Sequence, residues 1–269
     1  MRRWVGIGAL ALLLAGCAPL PVPQHMQRQY FPLLERPVNK LGVAGCPASC
    51  GAMGCSWCYS WVPQPGCVDG VDRVPMIWNE TQVYAEMNDC SGWLMGFNEP
   101  DRSDQADLSP QAAVKPWRQI EARWPNRKLV APAPSHTGSW WLPAFREAYK
   151  TEVGCYPRFD ALAAHCYYGN ADACITHVKQ YLTWAQQWGV REVWVTEFFF
   201  SQEAEARKFI AFLESEPLIT RWSPYVSFKS CVGYDPNWDC AKGGNPSLFT
   251  ADGALTVMGG WYARPVVMP

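Results

Sequence analysis

The sequence lacks an excess of charge of either sign, because 23 Lys and Arg residues oppose 24 Asp and Glu residues in 269 positions. Charged residues make up 17% of the chain and hydrophobic residues 49%, which is too apolar and too weakly charged for a disordered protein. The missing basic excess argues against nucleic acid as a partner. The composition therefore predicts a folded protein that does not bind nucleic acid.

Several functional patterns are also missing. No glycine-rich phosphate loop follows the first predicted strand, which argues against a nucleotide site. No group of His, Asp and Glu residues has the spacing of metal ligands, so we expect neither a metal nor another cofactor. No internal linker divides the chain and nothing in it requires a second subunit, so we expect one folded domain and a monomer.

Long hydrophobic runs are confined to the N-terminus. Arg2 and Arg3 precede an apolar run over residues 4–15, which is too short to span a bilayer. A basic start, a short apolar stretch and small residues are typical of an export signal. The ending Leu14-Ala15-Gly16-Cys17 resembles a bacterial lipobox, in which cleavage leaves a lipid on the cysteine. The alternative is an ordinary signal peptide with a chance cysteine at this position.

These features predict how the chain is organised. We expect a signal peptide at 1–16, a proline-containing tether at 17–35, a barrel at 36–262 and a short tail at 263–269. The lipid on Cys17 would hold an exported protein at the bacterial cell envelope, facing the periplasm or the surface. The membrane is then a partner only through this lipid.

Twelve cysteines suit an oxidising compartment, where thiols pair as disulfides. With Cys17 lipidated, eleven remain, so at least one lacks a partner within the chain. Four closely spaced cysteines could hold structural zinc, although export favours disulfides. These four are Cys46, Cys50, Cys55 and Cys58. Further along the chain we predict the bridges Cys166 to Cys174 and Cys231 to Cys240.

Eight apolar runs predict β-strands, and helical patterns separate the later ones. Most runs are continuously apolar, which is typical of parallel strands covered on both faces. Alternating strands and helices over about 250 residues predict an α/β protein with a single (β/α)8 TIM barrel. Short spacings at the start predict abbreviated helices in its first half, and a doubly wound open sheet is the alternative. The predicted strands are Lys40–Ala44, Cys55–Trp61, Val74–Trp78, Trp93–Asn98, Lys128–Ala133, Asp160–Tyr167, Glu192–Phe198 and Tyr225–Ser230.

Two predicted strands end in a glutamate. The fourth ends at Asn98-Glu99 and the seventh contains Glu197 near its end, and in a barrel the reactive groups lie at these carboxyl ends. Glycoside cleavage uses two such carboxyl groups across a cleft, and apolar walls together with like charge would separate their pKa values. We predict that Glu99 is the acid/base, that Glu197 is the nucleophile and that Asn98 holds a sugar hydroxyl.

Aromatic residues near the strand ends are predicted to bind the substrate, because tryptophan and tyrosine offer rigid surfaces to the apolar faces of sugar rings. His165 and Tyr167 end the sixth predicted strand, where we expect them to hydrogen-bond Glu197. We expect His136 and His177 at the surface. The other predicted substrate-binding residues are Trp57, Tyr59, Trp61, Trp78, Trp141 and Phe199.

These segments resemble glycoside hydrolase family 128, a family of endo-β-1,3-glucanases. The resemblance is carried by Gly96–Asp101, Trp57–Trp61, Val74–Trp78, Lys128–Ala133, His165–Tyr167, Trp194–Phe198 and the stretch 248–262. It implies a (β/α)8 barrel that cleaves β-1,3-glucan with retention through Glu99 and Glu197. Ser60 stands where the family usually has asparagine, and Cys166 interrupts the His-x-Tyr motif. A non-catalytic carbohydrate-binding lipoprotein and a hydrolase of another β-glycan are the alternatives.

Overall fold

The computed structural model describes residues 39–226 and 247–263. The predicted signal peptide, the tether with Cys17 and the Cys231 to Cys240 bridge lie outside these residues, as does the tail beyond residue 263. The described residues belong to one compact unit, Pro37–Pro269.

The described residues contain eight short strands, and helices separate most of them. Each strand runs parallel to its neighbours, in one sheet of order β1-β2-β3 and another of order β4-β5-β6-β7-β8. Most strand residues are buried, which accounts for the continuously apolar runs of the sequence. The strands are β1 Gly42–Ala44, β2 Trp57–Tyr59, β3 Asp72–Arg73, β4 Trp93–Met95, β5 Lys128–Val130, β6 Ala161–Cys166, β7 Glu192–Phe198 and β8 Ile219–Trp222.

Single bridges connect the two sheets. Leu41, next to β1, bridges Trp222 in β8, and Met76, after β3, bridges Met95 in β4, both in the parallel sense. The neighbours therefore follow the order of the chain from β1 to β8 and back to β1. A doubly wound sheet reverses its strand order, so this alternative is wrong. The predicted α/β class is confirmed, with the sequential strand order expected of a (β/α)8 protein.

Two predicted strands are misplaced. Of the predicted segment Tyr225–Ser230, residues 225 and 226 are not in a strand, and residues 227–230 lie outside the described residues. The eighth strand of the structure is Ile219–Trp222, directly after the preceding helix. Its two central residues are half-buried Thr220 and Arg221, so the sequence shows no apolar run there. The third strand, β3, ends at Arg73, just before the predicted segment Val74–Trp78. Pro75 has no backbone N–H to donate to a ladder, which limits this segment to the single bridge at Met76.

The helices are unequal in the two halves. Between residue 39 and β4, the structure has a four-residue helix and one 3-10 turn at Glu80–Gln82, in agreement with the short helices predicted for the first half. The longest helix begins where the Asn170 side chain accepts a hydrogen bond from Ala173 N, and it ends at Gly189 with φ of 73°. The helices are α1 Cys50–Met53, α2 Val114–Arg123, α3 Trp141–Val153, α4 Ala171–Trp188, α5 Glu203–Ser215 and α6 Val257–Tyr262.

Disulfides reinforce the half that has few helices. Cys46 pairs with Cys58, Cys50 with Cys55 and Cys67 with Cys90. The zinc alternative for the first four cysteines is therefore wrong, since all four form disulfides. The predicted bridge from Cys166 to Cys174 is confirmed. Cys155 is also disulfide-bonded, and the described part of the chain contains no free cysteine.

Buried residues form two separate clusters. The larger one fills the space around α2 to α6 and the outward faces of the strands. The smaller one is rich in tryptophan and contains Trp57, Trp93 and Trp194, with Trp61 and Trp78 packed against it. Within the described ranges no helix is both long and apolar enough to cross a bilayer.

Candidate active site

The carboxyl ends of β4, β6 and β7 bring three ionisable side chains together. Glu99 follows β4, His165 is near the end of β6 and Glu197 is near the end of β7. One carboxylate oxygen of each glutamate and one ring nitrogen of the histidine all lie within 4.8 Å of one another. Both glutamates line a cleft of about 660 Å³. Glu99 and Glu197 are 98 positions apart in the sequence, and they meet because their strands end at the same edge of the fold.

Three neutral groups donate hydrogen bonds to Glu197. Its Oε1 accepts from the Tyr59 hydroxyl and from Trp61 Nε1, both at 3.0 Å, and its Oε2 accepts from the Tyr167 hydroxyl at 2.7 Å. All three are donors, so both carboxylate oxygens act as acceptors. These three donors fix the orientation of the carboxylate and are themselves uncharged.

Two of these donors are tyrosines that keep their protons. Burial raises the pKa of Tyr59 well above its ordinary value, and the negative charge of Glu197 raises it further. The same two causes, in the same order, raise the pKa of Tyr167. Because a phenolate is disfavoured at both positions, each hydroxyl remains a donor to Glu197 across the working pH range.

Glu99 has positively charged or titratable partners instead. Its Oε1 lies 3.0 Å from Nδ1 of His165, and its Oε2 lies 3.4 Å from Nε of Arg102. Burial favours a raised pKa for Glu99, but the His165 hydrogen bond and charge together with Arg102 outweigh burial and lower it. The acid/base was expected to be the carboxyl group with the higher pKa. The lowered pKa of Glu99 differs from that expectation.

The surroundings of His165 favour its protonated form. The ring is fully buried, and burial alone would lower its pKa, but the carboxylates of Glu197 and Glu99 outweigh burial and raise it. Its Nδ1 is 3.8 Å from the nearer oxygen of Glu197, so the predicted hydrogen bond is made to Glu99 instead. The single proton in the Nδ1–Oε1 hydrogen bond is therefore favoured on the imidazole rather than on the carboxylate.

The backbone at two of these positions adopts an uncommon conformation. Glu99 has φ of 41° and Trp61 has φ of 54°, in the left-handed region that residues with side chains rarely occupy. Two contacts fix the loop that carries Glu99. Its N–H donates to Ala133 O at 2.8 Å, and Asp101 Oδ1 accepts from Ser135 N at 2.7 Å. The loops after β4 and β5 thereby hold a strained backbone in place.

Asn98 leaves one acceptor available. Its Nδ2 donates to Gln105 Oε1 at 3.0 Å, while its buried Oδ1 has no partner. Since the residue lines the cleft, this oxygen is available to a hydroxyl group of a bound molecule.

Most predicted substrate-binding residues lie where they were expected. Trp61, Trp78, Tyr167 and Phe199 line the cleft with Asn98 and the two glutamates. Tyr59 is fully buried beneath the cleft and contacts Glu197 from below, so it is available to position the carboxylate rather than to stack on a sugar.

Trp57 and Trp141 do not reach the cleft. Each is only 1% exposed. Trp57 is the first residue of β2, far from the end of its strand, and its Nε1 donates to Lys40 O at 3.0 Å. Trp141 begins α3, packs on Phe145 and donates to a backbone carbonyl. Both were predicted to line the cleft because they are close in sequence to strand ends. In the structure their rings pack inside the fold instead.

Several cleft residues were not predicted. His136 lines the cleft with its ring against Tyr167, and Tyr225 packs on Tyr167 and Trp61. His177 is buried, so the surface position predicted for it is wrong, and burial lowers its pKa to about 4. His136 follows the end of β5, and that position could have revealed it. Four more polar residues that follow β4 or β5 also line the cleft and were not predicted, namely Arg102, Asp104, Gln105 and Ser135.

The same three ionisable residues carry atoms that could bind a metal ion. However, Tyr59, Trp61 and Tyr167 already donate to the oxygens of Glu197, and a cation there would compete with these hydrogen bonds. The donor set therefore suits proton transfer and nucleophilic attack by carboxylates better than metal ligation.

Comparison with known families decides the class. Residues 47–262 match the family described as glycosyl hydrolase catalytic core. The chain belongs to this family. The predicted enzyme class, a glycoside hydrolase, is thereby confirmed. Comparison with curated proteins gave no match.

Solved structures of glycoside hydrolase family 128 are similar to this member of the glycosyl hydrolase catalytic core family. An endo-β-1,3-glucanase from Pseudomonas viridiflava is 29% identical with a TM-score of 0.60, over 83% of this chain and 96% of that one. An exo-β-1,3-glucanase from Blastomyces gilchristii is 24% identical with a TM-score of 0.66, over 85% and 100%. An endo-β-1,3-glucanase from Amycolatopsis mediterranei, in complex with laminarihexaose, is 24% identical with a TM-score of 0.65, over 84% and 100%. The predicted resemblance to family 128 is confirmed.

Proposed function

We propose that the protein hydrolyses β-1,3-glucan with retention of configuration, using Glu99 as acid/base and Glu197 as nucleophile. The observation that carries this proposal is the pair of carboxylates with an oxygen from each within 4.8 Å, each held by different partners. Carboxyl groups about 5–5.5 Å apart suit a covalent intermediate, whereas inversion needs about 6.5–9.5 Å to admit water. The similar family 128 structures are β-1,3-glucanases, which supports the choice of β-1,3-glucan as substrate.

In the first step, a carboxylate oxygen of Glu197 attacks the anomeric carbon while the glycosidic bond breaks. Glu99 delivers a proton to the departing oxygen. Because the proton of the Glu99–His165 pair sits on the imidazole in the free enzyme, it must move along the 3.0 Å hydrogen bond from Nδ1 to Oε1 as the leaving oxygen gains charge. The products are a shortened glucan and a glycosyl ester on Glu197.

In the second step, a water molecule replaces the departed chain. The pair that gave up a proton now accepts one from this water, the hydroxyl attacks the anomeric carbon, and the ester bond to Glu197 breaks. The free acceptor Oδ1 of Asn98 would receive the sugar 2-hydroxyl in both steps. Trp61, Trp78 and Phe199 would offer apolar surfaces to the sugar rings.

The test is to incubate the purified protein with β-1,3-glucan, β-1,4-glucan and β-mannan and to measure released reducing ends. We expect products from β-1,3-glucan and none from the Glu197→Gln variant. If only β-1,4-glucan or β-mannan is cleaved, β-1,3-glucan is not the substrate. If the variant is as active as the unaltered protein, the proposed mechanism is contradicted. Absence of any product would favour the non-catalytic binding alternative.

We also propose that the protein is an exported, monomeric lipoprotein anchored through Cys17. The Leu14-Ala15-Gly16-Cys17 pattern supports this proposal. Cells expressing the protein should incorporate labelled palmitate into it, and Cys17→Ser should abolish the label. Label that persists in this variant would contradict the lipid anchor.

A further inference from the structure

We propose that Asp104 is a positioning residue, which holds the Arg102 side chain away from the carboxyl group of Glu99 so that this group can carry a proton. Arg102 and Asp104 lie in the segment after β4, and both line the cleft of the candidate active site. The inference rests on the proposed role of Glu99 as acid/base and assigns a residue that supports this role.

The guanidinium group of Arg102 is directed at Asp104 rather than at Glu99. Its Nε donates to Asp104 Oδ1 at 2.9 Å and its Nη2 donates to Asp104 Oδ2 at 2.8 Å, which makes a fork of two hydrogen bonds. Nε carries a single N–H group, so its 3.4 Å separation from Glu99 Oε2 is an ion pair without a hydrogen bond. Arg102 therefore acts on Glu99 through its charge alone.

The backbone keeps Arg102 within reach of Glu99. The N–H of Arg102 donates to Glu99 O at 3.0 Å, which closes a turn between the two residues. The N–H of Gln105 in turn donates to Arg102 O at 3.2 Å, which fixes the segment that carries Asp104. Because the backbone is held on both sides of Arg102, rotation of its side chain is enough to exchange one carboxylate partner for the other.

A fork from Arg102 to Glu99 would oppose the proposed reaction. The acid/base must become a neutral carboxyl group to protonate the leaving oxygen, whereas a guanidinium fork stabilises the carboxylate. Oε1 of Glu99 already lies 3.0 Å from Nδ1 of His165, so the fork would engage the second oxygen, Oε2, as well. Asp104 prevents this, because it occupies Nε, the nitrogen of the ion pair with Glu99, and the neighbouring Nη2.

Other charged or titratable groups face this part of the cleft. Among the described residues, Asp104 alone accepts hydrogen bonds from the Arg102 side chain. Asp101 accepts from Ser135 N at 2.7 Å, so it serves the loop after β5 instead. Burial lowers the pKa of His136, which disfavours a second cation there. The groups that face Glu99 or Arg102 from the carboxyl ends of β4 to β7 are Asp101, Asp104, His136, His165 and Glu197.

The experiment compares Asp104→Ala, Arg102→Met and the variant that carries both changes. The ring of His165 reports the charge at Glu99 independently of hydrolysis, because its Nδ1 contacts that carboxyl group. NMR titration of the full-length protein with labelled histidine measures the pKa of His165. The chain has four histidines, and the signal that disappears in His165→Asn identifies this one.

The two single variants should shift this pKa in opposite directions. In Asp104→Ala we expect a fall of about half a unit, because the charge of Arg102 moves onto the carboxylate that stabilises the imidazolium. Arg102→Met should raise the pKa by a similar amount. The doubly changed variant should match Arg102→Met, because Asp104 acts through Arg102. An unchanged pKa in Asp104→Ala, or an equal fall when Asp104→Ala is added to Arg102→Met, would overturn the proposal.

The same variants are then assayed for kcat/KM on β-1,3-glucan as a function of pH. Asp104→Ala should lose about tenfold, with its basic limb displaced to lower pH, and the added Arg102→Met should restore most of the activity. Asp172→Ala, which removes an exposed carboxylate from Lys208 outside the cleft, is the matched control and should change neither quantity.

A doubly changed variant that is as impaired as Asp104→Ala would contradict the restraint of Arg102 by Asp104. If the unaltered protein releases no product from glucan, the proposed function fails, whereas the titration of His165 still decides whether Asp104 controls the position of Arg102. The two failures are therefore distinguishable.

Discussion

The two sides of the cleft hold the same type of residue by different chemistry. On the β7 side, Glu197 receives hydrogen bonds from two tyrosines and a tryptophan, all neutral donors. On the β4 side, Glu99 faces the ring of His165 and the guanidinium of Arg102. Neutral donors fix an orientation, whereas a titratable partner can also store a proton. The hydrogen-bonding partners of each glutamate, rather than its residue type, therefore assign the two roles.

Removing the carboxylate on the β7 side should have the largest effect. Glu197→Gln keeps the size of the side chain but cannot form a glycosyl ester, so kcat on glucan should fall by at least about 10⁴-fold. Steady-state release of reducing ends measures it, and circular dichroism verifies the fold. A fall of less than tenfold would break the assignment of the nucleophile.

Removing the carboxylate on the β4 side should have an effect that depends on the leaving group. Glu99→Gln should lower kcat/KM on glucan by about 10²–10⁴-fold, because the departing oxygen loses its proton donor. An aryl glucoside with an acidic phenol needs no such proton, so its first step should change little. Equal losses on both substrates would contradict the acid/base role of Glu99.

A smaller effect is expected from one neutral donor. Tyr167→Phe removes the hydroxyl that is 2.7 Å from Glu197 Oε2 and should lower kcat by about 10–100-fold with little change in KM. The adjacent Tyr168 donates to His136 O instead, so Tyr168→Phe is the matched control and should lose much less. Equal losses in the two variants would show that the hydrogen bond to Glu197 does not matter.

The pH dependence of kcat/KM tests whether His165 stores the proton that Glu99 delivers. The pKa of His165 is raised above 6.5, so the Glu99–His165 pair keeps its proton until the pH exceeds that value, and the basic limb of kcat/KM should lie above pH 6.5. In His165→Asn, Glu99 alone carries the proton, and the ordinary pKa of a glutamate is 4.5. The basic limb should then move to lower pH by about one unit or more. An unmoved limb would exclude His165 as the proton store.

Sequence patterns predicted the parts of this molecule that depend on strand ends. Glu99, Glu197, Trp61 and Tyr167 were found because each lies at or just past the end of an apolar run. Contacts between distant segments left no such signal. The pairing of His165 with Glu99 rather than Glu197 depends on the register of β6 against β7, which shifts between Ala164 and His165.

The fold shows the same division. The α/β alternation was readable from apolar runs, whereas β8 was missed because Arg221 interrupts its pattern. That arginine lies inside the fold because Trp57, Trp93 and Trp194 surround its guanidinium group and Asp72 pairs with it. Such compensation comes from four different parts of the chain, which no local pattern reveals.

Chemical rescue with azide tests the two roles most directly, because each role predicts a different anomer. With an activated aryl β-glucoside, Glu197→Gly plus azide should yield the α-glucosyl azide by one direct displacement. Glu99→Ala plus azide should yield the β-glucosyl azide, because azide attacks the ester on Glu197. Proton NMR of the products distinguishes these anomers. A β-azide from the first variant, or an α-azide from the second, would contradict the assignment of the two glutamates.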